Sequence, residues 1–162
     1  MSDADKGLEL VDRSINQQER KLILWLIEHS SPSRPHLASQ IDSLRVVSKC
    51  KCGCPTVYFA VEGDPPSRKG EAIISDFLSQ ADGLEVGVML FELHERLSSL
   101  EVYSCAGNDK SFGLPNIESL CSWEEYSKRG NRLTQETLRK SANGEELHRA
   151  DDAPDLFKKL GI

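Results

Sequence analysis

No apolar run in this chain approaches the roughly 18 consecutive residues that a membrane-crossing helix requires. The opening residues, MSDADKGLELVDRS, are acidic and polar, which fits neither a secretory signal nor a basic transit peptide. Five cysteines without such a leader point to a reducing, cytoplasmic setting. Internal repeats and low-complexity segments are missing, and so are HExxH, GxSxG, HxE…CxxC and any Gly-rich phosphate loop after a strand. The histidines His29, His36, His94 and His148 have no partner motif. Nothing in the pattern joins a nucleophile, a base and an orienting group, so no enzyme is expected. Positive charge is scarce where a core would form. Residues 1–121 hold 12 Lys and Arg against 18 Asp and Glu, while residues 122–162 hold eight of each. The whole net charge of −6 thus sits on the first part, which would repel a phosphate backbone. Arg45, Lys49 and Lys51 form the one local basic cluster in the expected sheet region, too small for nucleic-acid binding.

What is present is the content of a globular protein: 162 residues, 38% hydrophobic and 28% charged, with a mean hydropathy of −0.43. That length suggests one domain with an appendage. Leu22, Ile23, Leu26 and Ile27 recur at helical spacing, with Trp25 adding apolar surface. Asn16 can cap this helix while Glu19 reaches back to it in a capping box, and the Ser- and Pro-rich residues 30–35 end it. Leu37, Ile41 and Leu44 mark a second, shorter helix over 36–44. The period then changes to two, predicting strands over 45–48, 56–61, 72–79 (a stretch also compatible with helix), 85–93, 97–105 and 111–114. Asp82-Gly83 is a strong hairpin signal. The expected fold is α+β: two N-terminal helices on an antiparallel β meander, followed by a helical C-terminal tail. The divisions are a flexible N-terminus at 1–14, the α+β domain at 15–121, a linker at 122–132 and a helical arm at 133–162.

Cys50-Lys51-Cys52-Gly53-Cys54 is the sharpest local motif. Thiols at i, i+2 and i+4 share one side of an extended chain, and Gly53 permits a tight bend. Such thiolates suit Zn²⁺ or Cu(I), but a structural zinc site takes four ligands, and no second CxxC-type pair exists. Cys105, Cys121, His36 or His94 would have to supply the fourth. The other reading makes the three cysteines small apolar fillers, and the expectation is a structural turn with no metal and no cofactor. Glu92 and Glu101, on neighbouring strands, are expected as ordinary acidic residues of an open sheet face.

Residues 133–162 are patterned for burial yet cannot form a core alone. Thr134 can cap a short helix and Gly144 can end it. The run from Glu146 to Ala150 alternates like a strand and carries Leu147 and Arg149. After Asp151, Asp152 and Pro154, the residues Leu156, Phe157 and Leu160 form one apolar stripe, with Lys158 and Lys159 in the last turn. Helices below about 12 residues are marginal alone, so this segment either docks on its own domain or folds on a partner.

The matching features are Glu136-Thr137, Asn143-Gly144-Glu145-Glu146-Leu147, Asp151-Asp152 and Asp155-Leu156-Phe157-Lys158-Lys159-Leu160-Gly161. On these, the tail resembles the toxin-neutralising arm of RelB/DinJ-type antitoxins, over about 30 residues. The ribbon-helix-helix DNA-binding segment usual in that family is not recognisable in this sequence. The resemblance implies a non-enzymatic partner of a small basic RNase toxin of the RelE/YafQ class, bound through Leu147, Arg149, Leu156, Phe157 and Leu160. The runs LRVVSKCKCGCPTVYFAV, VGVMLFELHERLSSLEVYSC and FGLPNIESL resemble a small, uncharacterised bacterial domain family, which implies a folded domain but no activity. The alternative to the antitoxin-like reading is a stand-alone interaction or immunity-type domain with a packed tail.

Overall fold

A computed structural model of the protein describes residues 7–60, 70–107, 111–129, 139, 140 and 143. The chain divides into two compact units, Met1–Trp123 and Glu124–Ile162. The first is α+β. Six strands form one antiparallel sheet: β1 (Leu8–Ser14), β2 (Arg45–Cys50), β3 (Val57–Phe59), β4 (Ala72–Ala81), β5 (Leu84–Leu93) and β6 (Arg96–Ser104). The helix α1 (Gln17–Glu28) and the 3₁₀ helices Pro35–Ser43 and Ile117–Ser119 accompany the sheet. No helix of the described residues is long and apolar enough to cross a membrane.

The start of α1 follows from two side chains. Asn16 Oδ1 accepts from the backbone N–H of Gln18 and of Glu19, both at 2.9 Å, and Glu19 Oε2 accepts from Asn16 N–H at 2.8 Å. Together these satisfy donors that a helix N-terminus leaves open. Arg13 forks onto the same carboxylate at 2.7 and 2.8 Å. The Glu19 hydrogen bond, the leading cause, raises the Arg13 pKa above its ordinary value. The second helix of the sequence reading is instead a nine-residue 3₁₀ helix beginning at Pro35.

Strand order is β1-β2-β3-β6-β5-β4, which replaces the expected single meander with two three-stranded meanders. They join where β3 pairs antiparallel with β6, through Val57↔Leu100 and Tyr58↔Ser99. The expected strand at 72–79 is upheld, and three other expectations are corrected. Residues 1–14 include an ordered edge strand, because Leu8–Leu10 and Arg13–Ser14 find main-chain partners on β2. The stretch at 72–79 is strand, and its helical alternative is excluded by its ladder with β5. Residues 111–114 form no strand. Gly113 N–H donates to the Asp82 carboxylate at 2.7 Å, and Pro115 has no N–H to give a ladder. Residues 123–129, inside the expected linker, are helical.

Both hairpins of the second meander turn through left-handed residues: Asp82 and Gly83 at φ 49 and 78°, His94 and Glu95 at φ 51 and 61°. Paired positive φ values match the right-handed twist of the strands. One sheet face is the core. Val46, Val57, Phe59, Val86, Val88, Leu90, Leu100 and Val102 meet Leu22, Ile23, Leu26 and Ile27 of α1 and Leu37 and Ile41 of the 3₁₀ helix. The Ser75 hydroxyl donates to the carbonyl of Leu26 at 2.6 Å, and Trp25 meets Phe77 edge-on with ring centroids 4.9 Å apart.

Candidate functional site: an aromatic, acidic sheet face and the cysteine turn

Directly paired residues of antiparallel strands share a face. Through that rule the register aligns Leu10, Ser48, Tyr58, Ser99, Phe91 and Ile73 across all six strands, on the face turned away from α1. The neighbouring rows are Glu101–Met89–Asp76 and Tyr103–Gly87–Leu78, with Glu85 opposite Gln80 beyond them. Ile73 is 55% exposed, Tyr103 37% and Trp123 48%. Phe91, Met89 and Tyr58 are half-buried. The charged residues in these rows are Asp76, Glu85 and Glu101, and no Lys or Arg lies among them.

Tyr103 and Trp123 are held in place by specific contacts. A Cβ added to Gly87 would lie 2.1 Å from Tyr103 Cζ, so the phenol ring covers the backbone of that glycine. A strand glycine roofed by a cross-strand aromatic ring keeps its register without a side chain of its own. The Trp123 indole N–H donates to Asp76 Oδ2 at 3.1 Å. Asp76 Oδ1 is buried and has no hydrogen-bond partner among the described residues. Burial, then the nearby Asp76 and Cys105, push the Tyr103 phenol above its usual pKa.

Glu92 is not part of this face. A register shift between Phe91 and Glu92 turns it away from Glu101; it pairs with Leu97, is buried, and binds Arg34. Two residues of the basic cluster are likewise paired with β1. Arg45 pairs with Asp12, and Lys49 Nζ lies 3.3 Å from Glu9. His29 stacks on Trp25, His36 lies in the first turn of the long 3₁₀ helix and His94 sits in a hairpin turn, so these three histidines occupy separate elements.

The cysteine turn closes the end of β2. Cys50 N–H donates to the carbonyl of Thr56 at 3.1 Å, which brings the chain back towards β3. Gly53 sits at φ 92°, and a Cβ there would also meet Ser111 Cβ at 3.0 Å. Glycine is required on both grounds. Within this bend the Sγ atoms of Cys50, Cys52 and Cys54 all lie within 4.8 Å of one another, with Cys50 and Cys52 at 3.0 Å. None of Cys105, Cys121, His36 or His94 joins the cluster. A cleft of about 350 Å³ opens beside it, lined in part by Tyr58, Glu101 and Tyr103.

The three thiols are chemically unequal. Hydrogen bonds from Cys50 and Cys54 lower the pKa of Cys52 below the usual thiol range. Burial, followed by the proton shared with Cys52, raises Cys50 to about 11. The Cys105 thiol is raised by burial and by Glu85 and Asp76, and Cys121 is buried. Thiolate is the reactive form, and its larger fraction outweighs the modest nucleophilicity lost with a lower pKa. Iodoacetamide at neutral pH should therefore label exposed Cys52 first among the five, as read by peptide mass mapping. Cys50 should follow only as pH approaches 11. Labelling of Cys50 before Cys52 would contradict the assigned proton sharing.

Leu147, Arg149, Leu156, Phe157 and Leu160, the residues expected to bind a partner, lie outside the described residues. The sheet face was not singled out by sequence reasoning. Its signal was present in the alternating Met89-Phe91 and Glu101-Tyr103 positions, but joining them requires the strand order. No protein-family model matches the chain, and no curated protein or solved structure is significantly similar to it.

Proposed function

We propose that this protein is a non-enzymatic binding protein that holds a small basic protein, in the manner of an antitoxin and its RNase toxin. The observation that carries the reading is one sheet face combining exposed Ile73 and Tyr103 with the carboxylates Asp76, Glu85 and Glu101, with exposed Trp123 hydrogen-bonded to Asp76. Rigid aromatic side chains supply contact area at low entropic cost, and carboxylates select and steer a cationic partner. The net charge of −6 acts in the same direction at longer range. The tail at 133–162 adds the second support, through its likeness to antitoxin arms. The sequence pattern offers Leu156, Phe157 and Leu160 as its apolar anchors, with Leu147 and Arg149 in the alternating run before them.

The test is co-expression with any small basic protein that an adjacent gene encodes, scored by protection of cell growth and by affinity of the purified pair. Full-length protein should bind one to one, with an association rate that falls as salt rises. Deleting 133–162 should abolish protection. Phe157→Ala and Trp123→Ala should each weaken binding by about 2 kcal/mol or more, as truncated aromatic anchors do. A pair that forms equally well without the arm and with Trp123→Ala would refute this reading.

A further inference from the structure

We propose that Cys50, Cys52 and Cys54 bind one thiophilic metal ion through three thiolates, and that Cu(I) is the ion this ligand set matches best. The geometry carries the inference independently of the partner-binding face. Three Sγ atoms converge within 4.8 Å on a five-residue turn, whereas cysteines placed only for packing have no reason to face one another. With metal–sulfur bonds of about 2.3 Å, three sulfurs in a plane around one ion stand about 4 Å apart. Closing on an ion therefore requires side-chain rotations within the turn, with Cys50 and Cys52 opening from 3.0 Å, and no rearrangement of the sheet. The turn is prepared for this. Gly53 fixes its left-handed bend, and the Cys50 and Lys51 N–H groups are tied to Thr56 and Gly7.

Ligand count and softness select the ion. Thiolates favour Cu(I) and Zn²⁺ over harder cations. Structural zinc takes four protein ligands, and among the described residues no fourth His, Cys, Asp or Glu belongs to the cluster. Cu(I) is satisfied by three sulfurs. Cys52 is exposed and Cys50 and Cys54 are half-buried beside the cleft, so an ion has an entry path. Each bound sulfur gives up its proton to solvent, and no electron is transferred.

The experiment titrates reduced, full-length protein anaerobically with Cu(I) against bathocuproine disulfonate, and in parallel with Zn²⁺ against a chromophoric chelator. One Cu(I) per chain is expected, lost in Cys52→Ser and kept in Cys105→Ser. Circular dichroism melts of the metal-free variants verify that both remain folded. Stoichiometric zinc lost in Cys52→Ser would support the same three-thiolate site, with water completing four ligands. Failure of the reduced protein to hold either ion stoichiometrically, or unchanged binding in Cys52→Ser, would overturn the proposal.

Discussion

Replacing Arg34 with alanine should destabilise the sheet domain by about 3–5 kcal/mol, the usual cost of stranding one member of a buried ion pair. Glu92 is the reason. Its side chain is 8% exposed, its Oε1 binds the Arg34 guanidinium, and its Oε2 is buried with no hydrogen-bond partner among the described residues. Without Arg34 the carboxylate keeps its burial and loses its charge partner. The pair itself is not the source of stability, because removing two charges from water costs about as much as their attraction returns. The double variant Arg34→Ala, Glu92→Leu should therefore recover most of the loss. Urea unfolding of the wild type and both variants measures it. A single variant within about 1 kcal/mol of wild type would mean that the pair behaves as a solvated surface contact.

The second large effect is expected at Thr56→Val, where the seam between the two meanders is thinnest. β3 pairs with β6 through only two residue pairs, and the side chain of Thr56 supplies what the next rung would. Its hydroxyl donates to the Val102 carbonyl at 3.1 Å and accepts from the Val102 N–H at 2.9 Å, in a buried position. Valine fills the same volume but leaves both backbone groups unmatched, at about 1–3 kcal/mol each. The loss should appear in the urea midpoint and as faster hydrogen exchange at the Val102 amide. Thr56→Ser, which retains the hydroxyl, should stay near wild type. Equal stabilities for the valine and serine variants would remove the hydroxyl from the account.

What the sequence disclosed follows the range of each interaction. The Asn16–Glu19 capping box, the Leu22–Ile27 stripe and the Asp82-Gly83 hairpin depend on residues at most a few positions apart, and all were legible. The strand character of 45–48, 72–79, 85–93 and 97–105 was legible from period two, with ends displaced by a residue or two. Pairing between distant strands was not. Nothing local indicates that β3 abuts β6, or that Leu8–Ser14 completes the sheet, since those ladders run through backbone groups common to every residue. Glu92 and Glu101 looked equivalent because alternation alone cannot announce the shift after Phe91. The cysteine motif was visible as spacing, but the convergence of its three sulfurs depends on the left-handed Gly53 and the return to Thr56.

The sheet's two outer margins bear on how the molecule meets copies of itself. Along β4, Leu78 exchanges both main-chain hydrogen bonds with Cys121, at 2.9 and 2.8 Å. Further along that strand, the Gln80 carbonyl accepts from Asn116 N–H at 3.2 Å, and Ser119 Oγ accepts from Gln80 N–H at 3.2 Å. At the opposite margin, β1 is irregular between Leu10 and Arg13 and carries Glu9, Asp12 and Arg13. A strand whose rim is already occupied, or broken and charged, is a poor template for edge-to-edge aggregation. The fold thus occupies the Leu78–Gln80 end of one rim and breaks and charges the other, while its exposed Tyr103 lies on a sheet face, where association depends on side-chain fit.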